Sequence, residues 1–427
     1  MNAPVSPVTA VPSHRAATSQ PRARHARVAE VDWLRTLIVL AIIPYHAIIL
    51  FSSASATVLT NTFHNAQLPI IFGALEAWGI PLIFLLAGAS SKFALDARSP
   101  AVYLKERFLR LLVPVALVML VFAPLRAYYL LLSNPELASI SPRPIAHPEQ
   151  LSNIFTFFQV YLTTLFTTSY PIVVRNTLAH LWFVPRLLAA AVIFLPLFLY
   201  LRERWPRWMA RLAPSRVAVA ALLLVAGFVP AALVAVLQPG WLHRLTAEIS
   251  LYEDWTTFSL QLVMFLFGYL IYASASLRAA IRDLAYVMLA LAGVCWSVVI
   301  GVRLLGHTPP NTFSLANVLF ALLQVFAVWL LTLAVVGLAM RYLTKSPPWL
   351  RYLSSAAFPV YILHLPLLTI VAYYLQALPV PWYVLLVLIT VVTLALSFAL
   401  YEYVVRRVPG IRLLFGLASP RSEPQRR

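Results

Sequence analysis

Charged side chains are scarce in this chain. Only 11% of its 427 residues are Asp, Glu, Lys or Arg, whereas 61% are hydrophobic and the mean hydropathy is +0.84. A soluble domain carries about a quarter charged residues, so this composition excludes one. It predicts an all-α polytopic membrane protein.

Cysteine is nearly absent as well. The single residue, Cys295, lies in an apolar run, which excludes a disulfide framework. The chain also lacks CxxC, HExxH, GxGxxG and Walker sequences. We therefore expect no metal, no permanently bound cofactor and no nucleotide-driven chemistry.

Acidic residues are outnumbered 14 to 32 by Lys and Arg, and the position of the basic residues predicts the topology. Apolar runs of about 20 residues indicate ten spanning helices around a central cavity. The tails and alternate loops hold 26 of the 32 basic residues, so both termini are expected in the cytoplasm, and nucleic acid is not an expected partner. The predicted spans are 34–53, 68–91, 111–131, 178–201, 217–238, 256–274, 284–305, 314–340, 353–376 and 382–405.

Segment 151–172 is apolar enough to span but rich in Thr and aromatic residues. If it spanned, the basic loop 202–216 would be translocated against the charge bias, so we predict an interfacial or re-entrant segment. Residues 1–30 and 416–427 are expected to be cytoplasmic tails, and residues 31–415 one transmembrane domain.

Arg35 and His46 lie eleven residues apart in the first apolar run. Eleven residues make three helical turns, so both side chains share one face, about 16 Å apart along the axis. Ionisable groups at such depth normally face a cavity, which indicates a functional site. The alternative is a structural histidine bonded to a neighbouring helix.

A second basic group, Lys105, Arg107 and Arg110, precedes the third span in YLKERFLRLLVPV. Arg107 and Arg110 lie one turn apart and can grip a phosphate together. The alternative is ordinary topogenic charge or lipid headgroup binding. Because Arg35 is expected at the same membrane face, the group favours a polyanionic donor.

These residues carry a family resemblance. Arg35 with His46 matches the Arg-X10-His signature, and Arg107 with Arg110 the Arg-X-X-Arg signature, of the acyltransferase 3 family of integral membrane acyltransferases. FLLAG at 84–88 resembles a second-helix element of that family, although Ala87 replaces its usual small hydroxyl residue. HLWFVPRLL at 180–188 and SSAAFPVYILHLPLL at 354–368 resemble its glucans biosynthesis protein C branch.

The resemblance implies transfer of an acetyl or succinyl group from acyl-CoA, as donor substrate, to a hydroxyl of a carbohydrate or glycan. The donor is expected in the cytoplasm, the acceptor often beyond the membrane, and the protein in a bacterial-type inner membrane among its lipids. Such a transfer needs a base, and a neutral imidazole suits that role near pH 7.

We therefore predict His46 as the catalytic base, with Arg35 and Glu76 beside it; a covalent acyl-histidine is the variant mechanism. Arg35, Lys105, Arg107 and Arg110 are predicted to bind the donor. His180, Trp182, Arg186 and His364 are predicted to bind the acceptor, the alternative for the first three being an interfacial aromatic belt with a snorkelling arginine.

A rival interpretation is a proton-coupled transporter or flippase of an anionic or glycan-linked substrate, with the same histidine as a proton relay. A third is a membrane sensor of lipid or ligand. A basic pocket at one face and the lack of an internal repeat favour the enzyme.

Overall fold

The computed structural model describes residues 28–52, 59, 68–134, 153–167, 179–212, 216–237, 255–310 and 314–417. Each apolar run predicted to span contains a helix, because a helix satisfies its own backbone hydrogen bonds within a bilayer. The helices are α1 Ala29–Ile49, α2 Leu68–Ala97, α3 Pro100–Leu117, α4 Ala123–Ser133, α5 Ile154–Thr167, α6 Phe183–Ile193, α7 Leu195–Leu212, α8 Arg216–Leu237, α9 Trp255–Ala273, α10 Ala275–Asp283, α11 Ala285–Leu304, α12 Leu315–Tyr342, α13 Pro348–Leu375, α14 Trp382–Leu400 and α15 Pro409–Leu414, with π-helical turns at Val118–Phe122 and Tyr401–Val405 and a 3₁₀ turn at Ala179–Leu181.

Among the described residues, seven helical stretches are long and apolar enough to cross a membrane. The number rises to nine if two bent pairs each count as one span: α6 with α7, bent by 56°, and α9 with α10, bent by 104°. The chain is therefore a multi-pass membrane protein. The predicted tenth span, 217–238, forms α8, whose described apolar part is shorter, so ten spans are not confirmed.

The doubtful segment 151–172 contains the 14-residue helix α5. A helix of that length is about 21 Å long, less than the roughly 30 Å of the hydrocarbon core. Phe157 and Tyr161 of α5 are buried in a small cluster with Ala123 and Leu131 of α4. A helix of this kind lies against the bundle rather than crossing the bilayer alone.

The largest core cluster extends from Val31 to Phe415 and includes the seam between α2 and α9. Glycines make that seam possible. A Cβ on Gly88 would lie 1.9 Å from the carbonyl oxygen of Phe265, and one on Gly268 would lie 1.9 Å from that of Leu85. Small residues allow transmembrane backbones to approach this closely. The seam fixes α2, the helix that contributes most of the polar residues beside Arg35.

Basic loops meet at one end of the bundle. Trp33 Nε1, near the start of α1, donates to the carbonyl oxygen of Lys345 over 2.9 Å, and Arg202 of α7 lies 3.9 Å from Asp96 near the end of α2. The start of α1 and the end of α2 are themselves joined by a hydrogen bond. Loops predicted to share a membrane face therefore share one end of the protein. Which face that is stays a prediction, as do the tail boundaries, since residues 1–27 and 418–427 lie outside the described ranges.

Candidate active site

One face of α1 borders two neighbouring cavities. Arg35 lines the larger cavity, Ile42 and His46 line the smaller one, and Ile38 lines both. These four residues follow the three- and four-residue spacing of a single helical stripe. The shared face expected from the eleven-residue spacing therefore looks into the interior of the protein.

The smaller cavity, which we call the histidine cavity, has a volume of about 100 Å³. Apolar side chains of α1 and α2, such as Ile80 and Ile83, form most of its wall. Its aromatic and titratable lining residues are Tyr45, His46, Trp78, His180, Trp182 and Tyr361.

His46 is held by a second histidine. His364 Nε2 lies 3.2 Å from His46 Nδ1, and the rings are 5.1 Å apart between centroids. His46 Nδ1 also lies 2.9 Å from the carbonyl oxygen of Ile42, and His364 Nδ1 lies 2.5 Å from that of Tyr361. His364 is fully buried, so its ring has little freedom to leave this position.

These contacts determine which nitrogens carry protons when both rings are neutral. A carbonyl oxygen only accepts, so His364 Nδ1 donates to Tyr361, and His364 Nε2 becomes an acceptor. His46 Nδ1 then carries its proton and shares it between the Ile42 oxygen and His364 Nε2. The lone pair of His46 is left on Nε2, so this nitrogen can take a proton from a substrate.

His180 and Tyr361 form a reciprocal pair beside them. His180 Nε2 donates to the Tyr361 carbonyl oxygen over 2.8 Å, and the Tyr361 hydroxyl donates to the His180 carbonyl oxygen over 2.7 Å. His180 Nδ1 is buried without a hydrogen-bond partner in the described structure. An acceptor nitrogen placed beside an open cavity suits a ligand hydroxyl.

The larger cavity, which we call the arginine cavity, has a volume of about 790 Å³. Arg98 and Glu106, both in its wall, form an ion pair at 2.5 Å. The other charged lining residues are all basic: Arg35, Arg107, Arg110, Arg406 and Arg412. Such a lining attracts a ligand with several negative charges.

Two serines of α2 position the arginines. Arg35 donates to the Ser90 hydroxyl, while Arg107 Nη2 donates to Ser91 Oγ over 3.1 Å. Ser91 Oγ also accepts from the buried Tyr103 hydroxyl over 2.9 Å. The guanidinium groups from α1 and α3 are thus fixed against one turn of α2.

The two cavities meet at a common wall. Ile38, Ile83 and Tyr361 line both of them. His46 therefore lies behind a partition of three side chains, and the arginine cavity begins on the other side of it.

The predicted acceptor residues lie close together. His180 and Trp182 line the histidine cavity, and His364 bonds His46 from behind it. Arg186 is buried with its guanidinium 4.8 Å from the centre of the Trp182 ring, so it supports the wall rather than lining it.

Two other predicted residues are not brought into the site. Lys105 is exposed and is not among the residues that line the arginine cavity. Glu76 belongs to α2, but its side chain lies outside the described residues.

Sequence reasoning missed several residues that border the site. Ser90 and Ser91 follow directly after the FLLAG element, and their polarity inside an apolar run was the available signal. Arg126, an arginine within an apolar run of α4, lies near enough to interact electrostatically with His46 and His180. Arg412 comes from far along the chain and gave no local signal.

Helices of spanning length with a polar interior define a multi-pass membrane protein whose reaction site lies inside its helix bundle. The family model described as the acyltransferase domain matches residues 28–402, and the chain belongs to that family, the acyltransferase 3 family of membrane acyltransferases. Comparisons with curated proteins and with solved structures found no match. Assignment to the glucans biosynthesis protein C branch stays a prediction.

Proposed function

We propose that this protein moves a short acyl group, of acetyl or succinyl type, from acyl-CoA to a hydroxyl of a carbohydrate or glycan. The observation that carries the proposal is the common wall of the two cavities. An anion-binding site and a histidine base share three lining residues. A donor held by its phosphates on one side can present its thioester to the base on the other.

The arginine cavity suits the phosphates of CoA. Guanidinium groups form paired hydrogen bonds with phosphate oxygens, and Arg35 and Arg107 are already oriented by serines. Arg35 and His46 are separated by about 16 Å along α1. The extended pantetheine arm of CoA exists to carry an acyl group over such a distance from its phosphates.

The histidine cavity suits the transfer step. His46 Nε2 takes the proton of the acceptor hydroxyl as its oxygen attacks the thioester carbonyl. A C–O bond forms and the C–S bond breaks. The proton held by His46 passes to the leaving thiolate, giving the ester and free CoA. His364 Nε2 and the Ile42 oxygen face the Nδ1 proton and stabilise the positive charge that develops on the ring.

The acceptor is proposed to enter the histidine cavity from the end of the bundle opposite the arginine cavity. Trp78 and Trp182 offer flat apolar faces there, and His180 Nδ1 offers a hydrogen-bond acceptor. This combination suits a sugar ring with its hydroxyl groups. In a bacterial-type inner membrane the donor end would face the cytoplasm, in line with the basic loops gathered there.

The test is CoA release and acceptor acylation by the purified protein, with His46→Ala beside wild type. We expect a loss of at least about 100-fold, since general base catalysis contributes roughly 10²–10⁴. His307→Ala is the matched control, because His307 is exposed in the link after α11. Substantial transfer by His46→Ala would overturn the assignment, whereas an acyl group trapped on His46 would replace the base mechanism by the covalent one.

A further inference from the structure

A groove adjoins the arginine cavity between the start of α13 and the end of α14. Its volume is about 340 Å³, and its lining residues are Pro348, Arg351, Tyr352, Ser355, Tyr401 and Arg406. Ser355, Tyr401 and Arg406 also line the arginine cavity. A ligand too long for the arginine cavity can therefore continue into this groove without crossing a barrier.

The groove combines aromatic rings with fixed positive charge. The rings of Tyr352 and Tyr401 meet edge to face at 5.7 Å, and the Arg406 guanidinium lies 5.5 Å from the centre of the Tyr352 ring. Arg406 Nη1 donates to both carboxylate oxygens of Glu402, over 2.9 and 2.8 Å. Those bonds use Nη1 only, so Nη2 and Nε keep N–H groups for a further acceptor.

Arg351 supplies a second cation on the opposite side of the groove, at the start of α13. It lines the groove but not the arginine cavity. The groove thus has two guanidinium groups of its own next to tyrosine rings. This set recognises a phosphate attached to an aromatic base, because guanidinium binds phosphate oxygens and flat rings pack on tyrosine.

We propose that this groove holds the 3′-phosphoadenosine end of the donor, with Arg351 and Arg406 on its 3′-phosphate. The inference rests on the proposed function, since it takes CoA as the donor. In this arrangement Arg35, Arg107 and Arg110 bind the diphosphate, and the two sets of arginines act on different phosphate groups of one ligand.

Dephospho-CoA, which lacks only the 3′-phosphate, separates the two sets. Binding of CoA and of dephospho-CoA to the purified full chain, in detergent without anionic lipid, is measured by calorimetry. Wild type should bind CoA roughly ten- to hundredfold more tightly, the range expected for charge-assisted contacts. Arg351→Gln and Arg406→Gln should lower the affinity for CoA by most of that factor and leave the affinity for dephospho-CoA unchanged, which also shows that the variants are folded.

Arg407→Gln is the matched control. Arg407 follows Arg406, lies over the Tyr403 ring and lines neither cavity nor groove, so both affinities should stay at the wild-type values. Equal binding of the two ligands by wild type, or an equal loss for both in the groove variants, would overturn the inference.

The proposed donor site is judged separately by Arg107→Gln and Arg110→Gln. These changes should weaken both ligands by the same factor, because the diphosphate is common to them. If they weaken neither, the donor site itself is wrong, whatever the groove variants show.

Discussion

At the scale of single residues, the histidine pair decides which atom of the site can act as a base. His46 shares its Nδ1 proton with His364 Nε2 and with the Ile42 oxygen, so Nε2 holds the lone pair. His364 in turn is fixed by its own bond to Tyr361. His364 is therefore a positioning residue, which acts on the reaction through His46.

Replacing His364 by Phe keeps most of the buried volume but removes the acceptor for the His46 Nδ1 proton. We expect kcat to fall roughly ten- to hundredfold, because a hydrogen bond to a charged group contributes about 1.5–3 kcal/mol. The KM for the acyl donor should hardly change, since His364 does not line the arginine cavity. Steady-state kinetics of the purified protein measures both quantities.

His364→Gln serves as the conservative variant, because its amide oxygen can replace Nε2 as acceptor. It should recover part of the lost kcat. Equal defects in the Phe and Gln variants, or a large rise in the donor KM, would indicate that His364 only fills space.

The sequence was sufficient to select Arg35, His46, Arg107 and Arg110, because helical spacing alone predicts which of them share a face. It was not sufficient for the role of His364. That residue was predicted to bind the acceptor, but it lies 318 positions from His46 and meets it only through the packing of α1 on α13. The contact between Arg35 and Ser90 likewise depends on how α1 packs on α2.

At the scale of helices, the seam between α2 and α9 keeps Ser90 and Ser91 in place. Gly268→Ala would put a methyl group 1.9 Å from a backbone oxygen of α2, so the helices must separate. We expect a loss of about 1–3 kcal/mol in stability, as for other overpacked cores. A lower melting temperature in detergent, together with weaker donor binding, would show the effect.

Gly293→Ala is the control for that experiment. Gly293 lies in α11 with open space around the position of its Cβ, so the change should leave the melting temperature nearly unaltered. If Gly268→Ala melts like the control, the seam is less tight than the structure indicates.

Helix positions were largely predictable because each apolar run must satisfy its backbone internally. Bends were not. The run 178–201 is split into a 3₁₀ turn, α6 and the first part of α7, with a 56° bend between the two helices, and no residue pattern in the sequence specified that angle. Such bends arise from packing against distant helices rather than from local propensity.

At the scale of the whole molecule, the charge distribution makes a prediction about orientation. A reporter fused after Arg211 should be cytoplasmic and one fused near Glu248 external, since 26 of the 32 basic residues lie in segments expected on the cytoplasmic side. Fusions to an enzyme that is active in only one compartment measure this. The reverse pattern would mean that 151–172 spans and that the predicted topology is wrong.

The gathering of basic loops at one end agrees with that prediction, yet charge alone did not indicate the cavity they surround. Residues from α1, α3 and the segment after α14 meet there, and only the tertiary fold brings them together. The class of protein, its helices and its key arginines were thus available from sequence, whereas the cavities and their common wall were not.

The common wall has a consequence for the membrane itself. With the acceptor entering from the end opposite the donor, most of the bilayer thickness is hollowed out from two directions, and Ile38, Ile83 and Tyr361 stand between the hollows. Much of the transmembrane voltage would then fall across these three side chains. They would act as an electrical seal as well as a partition, so that an acyl group passes while ions do not.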